Sequence, residues 1–173
     1  MTRIFEGLLW VHYGQAYVES SDSNGIYLED AFRGQNNGLC GAALPGALFL
    51  ITGLHTGEAG FTVDVLDAPL PLGNIWEEIV EVSFTPGLGE IALTDWNANR
   101  VCNIPLQKKN YRVRYCACNM DVGDDVDTTL ESEPTVDFYS LTFWRADPAP
   151  EVVVKQTSRK ATYWHNWVRT LNG

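Results

Sequence analysis

Histidines and basic residues are scarce in this chain, long apolar runs are missing, and each shortage removes a class of function. Only three histidines occur, His12, His55 and His165. None lies in a Gly-x-Ser-x-Gly, His-Glu-x-x-His or glycine-rich phosphate-cradling motif, so no self-sufficient catalytic signature is present. No apolar stretch approaches the roughly 18 to 20 residues that a membrane-spanning helix needs. The first residues, Met1-Thr2-Arg3-Ile4-Phe5-Glu6-Gly7, carry an acid where a secretory signal is apolar and lack a small-residue cleavage site. The expected location is therefore the cytoplasm, with no membrane contact. In that compartment the four cysteines, Cys40, Cys102, Cys116 and Cys118, are expected as free thiols rather than as a disulfide framework. Only 12 Lys and Arg stand against 22 Asp and Glu. Direct nucleic-acid binding is not expected of such a surface, because phosphate contacts need clustered positive charge.

What is present is an ordinary globular composition over 173 residues, 45% hydrophobic and 20% charged, enough for one well-packed core and short for two. A single domain spanning 1–173 is expected. The net charge of -10 is unevenly spread. Residues 152–173 hold four basic side chains (Lys155, Arg159, Lys160, Arg169) and no acid, which leaves 8 basic against 22 acidic residues in the rest of the chain. An acidic body with a basic tail either serves only to keep the chain in solution or suits a basic partner protein.

Short runs rich in Val, Ile, Phe, Tyr and Trp, cut by Gly, Pro, Asn and Asp, are strand signals. Residues 8–13 and 15–19 form two strands around Gly14 or one strand bent there. Residues 46–52 are apolar almost throughout and mark the centre of the core. Residues 61–66 and 80–84 alternate, and 91–93 follow after the turn Thr85-Pro86-Gly87-Leu88-Gly89, as half-buried antiparallel strands do. Leu106, the turn Lys108-Lys109-Asn110 and the alternating run Tyr111 to Cys118 predict a hairpin. That run puts Tyr111, Val113, Tyr115 and Ala117 on one face and Arg112, Arg114, Cys116 and Cys118 on the other. Val136 to Arg145 predicts a further strand. Ala161, Trp164, Val168 and Leu171, with Ser158 as cap, predict a short C-terminal helix over 159–171. The expected fold is all-β, an antiparallel β-sandwich of jelly-roll-like type with that one helix.

Two segments could carry chemistry. Asp121, Asp124, Asp125 and Asp127, continued by Glu131 and Glu133, read as a long acidic loop between strands, and loops of that length tend to be functional. The order of acids does not match a calcium-binding EF-hand loop. A solvated loop or a protein-binding patch remains, and clustered carboxylates can imitate a nucleic-acid backbone toward a basic enzyme. In the tail, Trp164, Trp167 and Arg169 are the residue types that anchor protein interfaces, or alternatively close the core. Cys116 and Cys118 lie about 7 Å apart on one strand face by the two-residue repeat. The remaining Cys and His are scattered without ligand spacing, so the cysteines read as structural and no metal or cofactor is expected.

The stretch Leu106 to Ala117, then Met120-Asp121 and an acidic segment, then Phe138-Tyr139-Ser140-Leu141-Thr142-Phe143-Trp144 and Pro148-Ala149-Pro150, resembles a group of uncharacterised bacterial proteins. The pieces at 154–158 and 163–165 are similar to that group's C-terminus. In its order of strands the chain is more distantly similar to the competence protein J family. About half of the chain carries the likeness. It departs from the pattern at Lys109-Asn110, where a Pro-Gly turn is expected, and at the extra Cys118. The resemblance implies a shared β fold and inhibition of a nuclease, but assigns no residue a role. The sequence thus points to a non-catalytic interaction protein, of immunity or nuclease-inhibitor type. It would bind a basic partner, such as a nuclease or toxin, through Asp121, Asp124, Asp125, Asp127, Glu131, Trp164 and Trp167. The rival is a small-ligand or carbohydrate-binding sandwich that stacks on Trp10, Trp76, Trp96 and Trp144. A third reading, a hydrolase, requires His12, His55 or His165 to meet carboxylates in a cleft.

Overall fold

Alternation and β-branching along the chain produce strands that each bury one face, and a computed structural model describes residues 1–172 of the result. In chain order the elements are β1 (Thr2–Val11), β2 (Gln15–Ser20), α1 (Leu28–Phe32), β3 (Cys40–Gly41), β4 (Ala47–Ile51), β5 (Gly57–Leu66) and β6 (Glu78–Phe84). There follow β7 (Ile91–Thr94), β8 (Arg100–Asn103), β9 (Tyr111–Cys118), α2 (Met120–Val126), β10 (Phe138–Arg145), β11 (Val152–Lys155) and α3 (Arg159–Thr170). The strands form a six-stranded sheet, β1-β5-β10-β9-β6-β11, and a five-stranded sheet, β3-β4-β2-β7-β8.

The core lies between the sheets. Leu9, Phe61, Val63, Val82, Val113, Leu141 and Phe143 come from the first sheet, and Ala16, Val18, Leu48, Leu50 and Leu93 from the second. Phe61, Tyr139 and Tyr115 stack in a row, with ring centroids 5.2 and 5.8 Å apart. The two tyrosine hydroxyls tie the first sheet to the end of β4: Tyr115 donates to the Ile51 carbonyl at 2.9 Å, and Tyr139 accepts from the Gly53 N–H at 2.7 Å while it donates to the nearby Asp137 at 2.5 Å. All of β4 is buried. Its second face is covered by α1, where Phe32 meets Phe49 at 5.8 Å.

Several connections differ from the expected ones for a single reason: period two shows which side chains point inward but not which sheet receives the strand. β1 and β2 belong to different sheets, and the chain crosses between them at Tyr13 and Gly14, both with positive φ (54° and 61°). A Cβ at Gly14 would also crowd the Thr52 carbonyl, so this corner requires glycine. The expected hairpin at 106–118 is likewise a crossing, because β8 pairs with β7 in the five-stranded sheet and β9 with β6 and β10 in the other. The sheets are not wholly antiparallel, since β10 runs parallel to β5.

The C-terminal helix forms as expected, with the Ser158 side chain accepting from the Ala161 N–H at 3.1 Å. Two further helices were not legible. α1 has five residues and α2 seven, too few for a periodic pattern. The expected acidic loop is therefore a helix in its first half. Asn119 in the left-handed conformation starts it, and Met120, fully buried, fastens it to the core.

Candidate interaction surface

Strand register brings the predicted acidic residues to one end of the sandwich. Trp10 pairs with Glu58, Phe138 with Gly60 and with Cys118, and Glu78 with Ala117. The C-terminal ends of β1 and β9 and the N-terminal ends of β5, β6 and β10 thus converge. α2, the 127–137 segment and the start of α3 cap this end.

Much of the predicted acidic cluster is engaged by the chain's own tail. Asp121 accepts the backbone N–H groups of Arg159 and Lys160, at 3.1 and 2.9 Å, and so caps the N-terminus of α3. Lys160 Nζ lies 2.7 Å from Asp124, and Arg159 Nη2 lies 3.2 Å from Asp125. The carboxylates beside Arg159 push its guanidinium pKa up, led by the hydrogen bond that it donates to Asp125. Six carboxylates between 121 and 133 meet two basic side chains, Arg159 and Lys160, so a net charge of minus four remains here. Asp127 stays exposed, bonded through its carboxylate to the Thr128 hydroxyl, and Glu131 and Glu133 are exposed beside it. Glu131 lines a small depression with Glu58, Trp10 and Leu130. Leu130 is 67% and Trp10 40% exposed, so apolar surface sits among the acids.

Trp164 and Trp167 are half-buried and pack on the core, 5.4 Å apart, with Trp167 also against Phe32 at 6.1 Å. The outward aromatic of α3 is Tyr163, 59% exposed. Of the four indoles expected to stack on a sugar, Trp144 is buried, with the Arg114 guanidinium 5.2 Å over its ring. Trp10 and Trp96 are exposed and Trp76 is half-buried.

The histidines group differently from any sequence expectation. His12 and His55 both place Nδ1 against the Thr56 hydroxyl, at 2.8 and 2.7 Å. One hydroxyl has a single proton, so with both rings neutral one imidazole receives it and the other donates its own. Trp96 stands 4.7 Å from His12, and Tyr13 stands 5.1 Å from His55. Neither imidazole bonds a carboxylate among the described residues. His165 is fully buried, and its Nδ1 accepts the Gly38 N–H at 2.8 Å. All four cysteines are free. Among the described residues no three His, Cys, Asp or Glu side chains cluster as metal ligands, and no helix is long and apolar enough to cross a membrane. The Glu58–Trp10–Leu130–Glu131 grouping escaped sequence reading, because only the pairing of β1 with β5 brings its parts together.

No family model matches the chain and no curated protein matches it. Solved structures do. ComJ from Bacillus subtilis, inhibitor of the DNA degrading activity of NucA, superposes with a TM-score of 0.59 at 18% identity, over 84% of this chain and 98% of ComJ. The protein of crocagin biosynthetic gene J superposes with a TM-score of 0.50 at 14% identity, over 85% of this chain and all of its own. The distant similarity to the competence protein J family expected from the sequence is thus present at the level of the fold.

Proposed function

We propose that the chain is a non-catalytic interaction protein of nuclease-inhibitor or immunity type that binds a basic partner protein with the acidic end of the sandwich. The observation that carries this reading is the unneutralised charge there: after α3 has engaged Asp121, Asp124 and Asp125, the acids Asp127, Glu131 and Glu133 stay exposed around Leu130 and Trp10. Apolar anchors within a charged rim are the arrangement of interfaces that use charge to steer encounter and burial to hold the complex. The likeness to ComJ, itself a nuclease inhibitor, supports the same class of partner. Asp121, Asp124 and Asp125 contribute mainly by holding α3, and Trp164 and Trp167 by seating it.

The test is a pull-down from the native lysate at low and high salt, with recovered basic proteins assayed for DNA degradation with and without the chain. A nuclease retained only at low salt, inhibited by the chain and released by Glu131→Lys combined with Glu133→Lys, is the expected result. Recovery of no salt-sensitive basic partner overturns the proposal.

A further inference from the structure

The connection from β5 to β6 skips β10 and β9, which lie between them, so residues 67–77 cross the outer face of the six-stranded sheet. Two hydrogen bonds fasten the crossing: Arg114 Nη1 to the Leu70 carbonyl and Lys155 Nζ to the Trp76 carbonyl, both at 2.7 Å. Beside it, against the strands, lies a cavity of 670 Å³, within the range of roughly 300–1,000 Å³ typical of small-molecule sites. Leu8 and Phe138 line it from the strands, and Leu70, Leu72 and Ile75 from the crossing segment. These five are 44–71% exposed, although a soluble surface rarely gathers so many large apolar groups around a concavity.

The polar lining narrows the occupant. The charged groups Arg3, Glu6, Asp64 and Arg114 sum to zero. They are also engaged: Arg3 lies 2.6 Å from Asp64 and 2.5 Å from Glu6, and Arg114 lies 2.9 Å from Glu81. No net charge is left to select an ion. Thr62 and Ser140, paired neighbours on β5 and β10, line the cavity and show no side-chain hydrogen bond among the described residues. An added strand is a poor fit. The floor is the face of a sheet, whose backbone groups are already paired in the ladders, and strand addition needs a free edge.

We infer that this groove is a binding site for an uncharged, predominantly apolar small molecule, whose one hydrogen-bonding group meets the hydroxyls of Thr62 and Ser140. It adjoins the acidic patch, since Leu8 and Trp10 stand two residues apart on one face of β1, but it uses different chemistry, so a small-molecule titration tests it separately from the partner proposed above.

The experiment titrates the full chain with the uncharged fluorophore N-phenyl-1-naphthylamine. Saturable one-to-one binding is expected, displaced by decanol more effectively than by decanoate. Leu72→Ser and Ile75→Ser change exposed side chains on the crossing segment and are expected to weaken probe binding about tenfold together. Ser140→Phe, which fills the floor, should do the same, with circular dichroism confirming the fold of each variant. Absence of saturable binding, affinity unmoved by these substitutions, or equal displacement by decanoate overturns the inference. So does a concentration-dependent dimer, seen by sedimentation, that Leu72→Ser dissolves while the probe fails to bind, because the groove is then an interface between copies.

Discussion

His165 shows how a single side chain sets a pH limit on this fold. Its Nδ1 accepts the Gly38 N–H, so a proton on Nδ1 would set two donors against each other. Gly38 itself has no room for a Cβ, which would overlap the Trp164 carbonyl, so the contact cannot widen easily. Burial, helped by Arg169, pushes the His165 pKa down from 6.5 to about 4. A folded pKa below the unfolded one means stability that is complete above pH 6.5 and is lost as pH falls toward about 4. The depression corresponds to about 3 kcal/mol. Asp137 works in the opposite sense: burial raises its carboxyl pKa, so its contribution is complete at low pH and is lost as pH rises above the unfolded value. His165→Asn keeps an acceptor but cannot titrate, and it leaves Asp137 in place. In urea denaturation across pH 4 to 7 the wild type should therefore lose stability on acidification relative to His165→Asn.

At the scale of elements, α2 and α3 depend on each other. Asp121 satisfies two N–H groups that α3 would otherwise leave without partners, and Asp121→Ala is expected to cost about 1 kcal/mol. Guanidinium denaturation should register this as a lower midpoint with an unchanged slope. The same pair shows what was legible beforehand. α3 announces itself through Ser158 and the spacing of Ala161, Trp164 and Val168, because a helix lying on a core must repeat its apolar contacts every three or four residues. α2 does not, because Asp and Gly are poor helix formers and its stability comes from Met120 in the core and Lys160 and Arg159 alongside. β9 and β10 read clearly, since their inner faces alternate Tyr, Val, Ala, Leu and Phe. The first half of β1 was hidden, since it lies at the sheet edge, with Thr2, Arg3 and Glu6 exposed.

For the whole molecule, the sandwich sorts four chemically equal thiols into two classes. Cys40 and Cys116 are buried, and burial pushes Cys116 up to about 12 and Cys40 higher still. Cys102 and Cys118 are half-exposed, with a smaller upward push from the same cause. A thiol-specific disulfide reagent near pH 8 should label Cys102 and Cys118 first in the folded protein, Cys116 slowly because it lines the groove with a raised pKa, and Cys40 only at the rate of global unfolding. Modification of Cys40 in the folded state would contradict this sorting. The sequence by itself determined the β class, the inward faces of the main strands, the capped final helix and the excess of acid, because each depends on local periodicity or on a sum of charges. Only the tertiary structure decided which sheet takes each strand, that the basic tail engages half of the acidic segment, that Glu58 and Trp10 join Leu130 and Glu131, and that the β5–β6 crossing shapes a groove. Those outcomes depend on which distant residues meet, and a period of two or 3.6 along the chain carries no information about distance across it.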